Sequence, residues 1–142
     1  MRADALAGGF IDPPIDASRA FRGIMTAMAR PGTISTVTGA LPPTPLGVAA
    51  GVAVLTLCDP DTPIFLGSSH DTQDVRDWIT FQTGAPFVSP AQAVFAIGMW
   101  GDLSLPDAQT LHRNHGLYPR GLDFLFTCAD RIAALPRTTR IG

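Results

Sequence analysis

The run Phe21-Arg22-Gly23-Ile24-Met25-Thr26-Ala27-Met28-Ala29-Arg30-Pro31-Gly32 decides how the chain is organised. Phe21, Ile24, Met25 and Met28 fall at i, i+3, i+4 and i+7, which predicts one apolar stripe on an α-helix. Ser18 or Asp16 would cap its start by accepting orphan amide protons. Pro31 stops it, because proline has no N–H to donate and pushes Arg30 away from helical angles. Gly32 lets the chain reverse, and the β-branched run Thr33-Ile34-Ser35-Thr36-Val37 predicts a strand. Arg30 is left at the helix C-terminus. There it either complements the helix dipole or reaches a phosphate or a partner.

Upstream of this run, residues 1–14 are small, polar and glycine-rich with two adjacent prolines, which predicts an extended lead-in. Downstream, residues 39–45 form a proline-rich connection. Residues 46–57 are apolar on nearly every side and too long for an average strand, so a helix buried on most faces is expected. Asp59-Pro60-Asp61 ends it, and Pro63-Ile64-Phe65-Leu66 predicts a short buried strand. Asp71 or Thr72 would cap a helix reaching about Gln82, with Val75, Trp78 and Ile79 as its apolar stripe. Ala85-Pro86-Phe87-Val88 and residues 93–97 are expected as strands, and residues 105–116 as partly helical. Residues 122–128 predict a strand that pairs with residues 132–135 as a hairpin across Ala129-Asp130-Arg131. Alternating helices and strands imply an α/β or α+β sandwich, and the final hairpin makes its sheet mixed.

At 142 residues one domain, residues 1–142, is expected. A chain of this size buries about two-thirds of its unfolded surface and needs no disulfide or metal staple. It is 46% hydrophobic and only 15% charged, which favours a subunit that hides surface against a partner. A net charge of −2 gives no sign of a nucleic-acid partner. All ten basic residues are arginine and all twelve acidic residues are aspartate. With no lysine the chain supplies neither a Schiff base nor the phosphate-binding lysine of a P-loop. Cys58 and Cys128 have no local partner and cannot alone hold an iron–sulfur cluster, so buried thiols are expected. No basic region followed by an apolar run opens the sequence, and no apolar stretch is long enough for a membrane span. A cytoplasmic protein is the expectation.

Candidate chemistry is sparse. Ser68-Ser69-His70-Asp71 contains the residue types of a triad, but a triad draws on separate chain segments, and a loop feeding a helix cap accounts for it better. His112 and His115 would share a helix face, yet a zinc site would need an aspartate or His70 besides. Arg137-Thr138-Thr139-Arg140 is the best anion candidate, with two guanidinium groups and two hydroxyls within four residues. The rival reading, a surface arginine pair meeting aspartates on another subunit, is favoured because interfaces are enriched in arginine.

Four stretches together resemble the PhnH family, the H subunit of the bacterial carbon–phosphorus lyase core complex. They are the Phe21–Gly32 run, Leu55-Thr56-Leu57-Cys58-Asp59-Pro60-Asp61-Thr62-Pro63, Tyr118-Pro119-Arg120-Gly121-Leu122-Asp123, and Leu135-Pro136-Arg137-Thr138-Thr139-Arg140-Ile141. Their order matches the family's, and the resemblance covers roughly residues 10–98 and 105–141.

The resemblance implies an α/β three-layer sandwich with a mixed sheet, like the pyridoxal-phosphate transferase fold but without the cofactor. It implies an accessory subunit that acts with PhnG-, PhnI- and PhnL-type subunits to transfer ribose triphosphate from ATP onto methylphosphonate. PhnJ-like subunits would be partners as well, the lyase step belonging to a different, iron–sulfur subunit. The isolated protein would be a homodimer. Arg30, Arg120, Arg137, Thr138, Thr139 and Arg140 are the phosphate- or partner-binding candidates, with no catalytic residue and no metal. An alternative is a degenerate transferase-fold protein that binds a phosphorylated ligand on its own. One departure stands out. The family carries a further segment with a P-D-x-S-A-T pattern and an L-x-G-P-G-I turn, which this sequence lacks near residues 98–105, where Met99-Trp100-Gly101-Asp102 reads as a junction.

Overall fold

Asp12-Pro13-Pro14 starts the longest helix, α2 (Pro13–Ala29), with both prolines in the first turn, where a missing N–H costs nothing. A computed structural model describes residues 3–30, 32–99, 125–128 and 131–134 of the chain. The lead-in is therefore not extended throughout. A short helix α1 (Ala3–Leu6) precedes α2, and α2 begins well before Ser18. Asp16 does accept a capping bond, at 3.0 Å, but from the Asp12 amide and from inside the helix.

The buried stripe of α2 is also a correction. Ala20, Ile24 and Ala27 face the core, while Phe21 and Met25 are 47% and 48% exposed. Small residues win because α2 packs directly on α3 (Val48–Leu57), and alanines let the two backbones approach. Arg30 caps α2 by donating its amide to Thr26 O at 3.2 Å. Gly32 follows at φ 89°, the left-handed turn expected of it.

The predicted strand after the turn shortens to β1 (Ser35–Thr36). Helix α3 is buried on most faces as expected. Ala49, Val52 and Ala53 pack toward α2, and Ala50 and Val54 pack toward β2 (Ile64–Leu66). Asp59 tightens the turn between α3 and β2, its Oδ1 accepting from the Asp61 amide at 2.9 Å and from Thr62 Oγ1 at 2.6 Å. Helix α4 (Gln73–Thr83) starts at Thr72, whose hydroxyl accepts from the Val75 amide. It buries Val75, Trp78 and Ile79, and ends at left-handed Gly84. Phe87 forms only a single bridge to Ile64, so the strand expected there is reduced to one residue. A 3₁₀ turn over Pro90–Gln92 leads into β3 (Phe95–Ile97).

Strands β4 (Leu125–Cys128) and β5 (Arg131–Ala134) form the expected hairpin, with Arg131 in the strand rather than in the turn. Both parallel and antiparallel pairings are present, but the described strands divide them between two sheets. One is antiparallel, in the order β1-β5-β4, and the other pairs β2 and β3 in parallel. Helix α3 contacts β4 and β5 as well as the cluster over β2 and β3, and so joins the two. The helix expected over residues 105–116, the Tyr118 motif and the tail from Leu135 lie outside the described residues. No helix among the described residues is long and apolar enough to cross a membrane.

Candidate functional site

In α/β sheets ligands gather where parallel strands end at their carboxyl side. Here that place is built by Gly67 to His70 after β2 and by Met99 after β3. The Gly67 amide donates to Ile97 O at 2.7 Å and holds the two strand ends together. The loop then turns tightly, since the His70 and Asp71 amides both donate to Gly67 O.

Within that loop Ser69 Oγ and His70 Nδ1 share a hydrogen bond of 2.8 Å, and the Met99 amide donates to Ser69 Oγ at 3.2 Å. His70 is only 7% exposed. Two of the four residues thus meet. No triad results, because the Asp71 carboxylate is taken by Arg76. Its Oδ2 accepts from Arg76 Nη2 at 2.9 Å, its Oδ1 from Nε, and the guanidinium also lies 4.8 Å over the Phe87 ring. That hydrogen bonding holds the Asp71 carboxyl below its ordinary range and raises the arginine above its own. The loop serves helix α4 as a cap, as its sequence suggested.

Of the predicted phosphate or partner residues, only Arg30 is described. Its side chain is exposed at the end of α2, with its carbonyl accepting from the Thr33 amide at 3.0 Å. Among the described residues it forms no ion pair. Arg120, Arg137, Thr138, Thr139 and Arg140 lie outside the described residues, as do His112 and His115. Among the described residues no cluster of three metal-ligating side chains occurs.

Ala50, Val54, Cys58, Phe95 and Ile97 line a small apolar recess with room for no more than about one water molecule. It offers no charged group to a phosphate. Cys58 is the thiol at its wall, pushed up to about 12 by burial first and by the Asp59 carboxylate second. It is therefore protonated at neutral pH, which makes it a poor nucleophile. The Ser69–His70 contact and the Asp71–Arg76 pair were not legible in residue types alone, since both depend on how tightly the loop turns.

The family described as "Bacterial phosphonate metabolism protein (PhnH)" matches residues 8–112 and 102–142. The chain belongs to the PhnH family. A relative from Rhizobium meliloti (strain 1021), named alpha-D-ribose 1-methylphosphonate 5-triphosphate synthase subunit PhnH, is 31% identical over 188 aligned positions. That alignment takes in 94% of this chain and 94% of the relative. Two of the four PhnH-like stretches now have positions in the fold: the Phe21–Gly32 run ends α2, and Cys58–Pro63 forms the Asp59-braced turn into β2.

Proposed function

We propose that this chain acts in phosphonate breakdown as a PhnH-type subunit of an assembly that transfers ribose triphosphate from ATP onto methylphosphonate. The observation that carries this reading is the 31% identity to a protein of that name across 94% of both chains. Partners resembling PhnG, PhnI, PhnL and PhnJ and a cytoplasmic location are part of this proposal; the relative's being named a synthase subunit supports partner subunits in general. In this reading the chain is accessory. A protonated Cys58, the diverted Asp71 and the missing lysine support that role. Deleting its gene should abolish growth on methylphosphonate as the only phosphorus source. Unimpaired growth would sink the assignment.

The single domain is proposed to be a three-layer sandwich of the pyridoxal-phosphate transferase type, with a segment lost near residues 98–105. Support for the loss comes from the alignment length. The 188 positions take in only 94% of the 142 residues, about 133, so about 55 positions have no counterpart here. The two family matches also meet at residues 102–112, between β3 and β4. Arg30, Arg120, Arg137, Thr138, Thr139 and Arg140 remain the proposed phosphate or partner contacts. A homodimer is proposed for the isolated protein, supported by the exposed Ile15, Phe21 and Met25 on α2. Light scattering at a monomer mass at all concentrations would overturn it.

A further inference from the structure

Helix α2 carries a stripe that the core does not use. Ile15, Arg19, Arg22 and Thr26 are exposed and fall at i, i+4, i+7 and i+11, opposite the buried Ala20, Ile24 and Ala27. The stripe runs about 17 Å along the helix axis, and the exposed Arg30 follows at its end. Its positive charge is uncompensated. Asp16 is the one acidic residue of α2, and its carboxylate accepts from the Asp12 amide in the first turn. The one ion pair among the described residues joins Asp71 and Arg76, so none of Arg19, Arg22 and Arg30 is matched there.

Charge decides what suits this stripe. A chain with twelve aspartates and ten arginines has no general positive excess, so nucleic acid, which favours a basic domain, is a poor match. A second copy suits the stripe no better. A two-fold contact through it would set Arg19 and Arg22 against the same arginines, and facing like charges are costly. Phe21 and Met25, offered above to a second copy, lie to one side, centred roughly 110° round the helix. Nor do the chain's own contacts lead here. Ser68, Ser69, His70, Ala93 and Met99, around β2 and β3, are the described residues with further interactions, and none is on α2. Carboxylates on another protein remain, and arginine beside aromatic and methionine residues is what protein interfaces favour.

We propose that the Ile15-Arg19-Arg22-Thr26 stripe, with Arg30 beyond it, docks an acidic surface of a partner subunit. Each guanidinium forks onto a carboxylate of that surface, and Ile15 supplies an apolar contact at one end. The inference rests on the subunit reading above, because that reading supplies the partner.

The test uses the full chain, alone and co-expressed with the partner subunits. Wild-type protein should co-purify with them, and capture should weaken as salt rises from about 50 to about 500 mM and screens the charges. The double variant Arg19→Glu/Arg22→Glu reverses the stripe at two exposed positions. It should match wild type in circular dichroism, melting temperature and self-association, yet co-purify at least about tenfold less. Arg19→Gln/Arg22→Gln should fall between the two. Reversed protein captured as well as wild type overturns the inference and leaves the subunit reading intact. A melting temperature lowered by several degrees in the isolated reversed chain also overturns it, by naming this chain's own carboxylates as the partners. Altered self-association of that isolated variant overturns it too, by naming a second copy. Wild-type protein that captures none of the subunits removes the subunit reading, and the inference with it.

Discussion

The indole Nε1–H of Trp78 donates to the carbonyl of Ala7 across 2.8 Å, tying the chain's start to the buried face of α4. Gln82 repeats the tie one turn later, donating to Leu6 O at 2.7 Å, and the Leu41 amide donates to Gly8 O. Residues 6–9 thus bridge α4 and the connection before α3. Trp78→Phe keeps most of the apolar volume but removes the donor. It should cost roughly 1–3 kcal/mol, the penalty of a lost hydrogen bond with a carbonyl left unmatched. Urea denaturation measures this, and a midpoint equal to wild type would mean that the strap is not held through Trp78.

Two glycines with positive φ should respond very differently to alanine. At Gly8, φ 92°, a Cβ would collide with the Leu41 carbonyl oxygen, whereas Gly32, φ 89°, has open space around it. Gly32→Ala bears only the backbone strain, roughly 1 kcal/mol. Gly8→Ala adds a backbone clash at the strap and should exceed about 3 kcal/mol. Thermal melts of the two variants should separate by several degrees, with Gly8→Ala the lower.

Cys58 gives the fold an alkaline limit. Its folded value of about 12 lies above the ordinary 9.0, so the unfolded chain ionises first. Stability from this group is complete below pH 9 and is lost as pH rises toward 12. The slope is at most about 1.4 kcal/mol per pH unit. Cys58→Ala should flatten that fall, and its urea midpoint at pH 10 should move less from its neutral-pH value than wild type's does. In native wild type, iodoacetamide should label Cys58 far more slowly than a free thiol at pH 8. Fast labelling would show the thiol to be less buried than described.

Arg137 and Arg140 follow Pro136, which restricts the exit angle of the tail. If they meet phosphate, replacing both with alanine should weaken ATP binding by the assembled complex by about a hundredfold, about 3 kcal/mol for two charge-assisted contacts. If they meet a partner instead, the variant should fold but fail to co-purify, and this is the outcome expected here. Wild-type behaviour in both assays would reduce the pair to solvated surface.

Legibility followed the strength of each local signal. Helix α3 was evident because ten residues without a polar face fit a buried helix, and α4 because Thr72 caps a clear Val75-Trp78-Ile79 stripe. Helix α2 was recognised, and Ile24 and Met28 of its expected stripe do pack on the core, but Phe21 and Met25 do not. Apolar periodicity ranks Phe21 and Met25 above Ala20 and Ala27, whereas close packing on α3 selects the small residues. Its start was placed late because side-chain caps were weighed above the preference of proline for the first turn. Of the candidate site, residue types suggested the right loop but not its bonds. The Ser69–His70 contact depends on the two amides that converge on Gly67 O, which no pattern of residue types encodes.

Helix α3 has almost no outside. With Ala49, Val52 and Ala53 committed to one cluster and Ala50 and Val54 to the other, it offers little surface on which substitutions could drift without effect. Its small side chains set the spacing between α2 on one side and β2 on the other. An enlarged residue at Ala50 would push on β2, and one at Ala53 would push on α2. Damage at either position would be passed through the helix to the cluster on its other side.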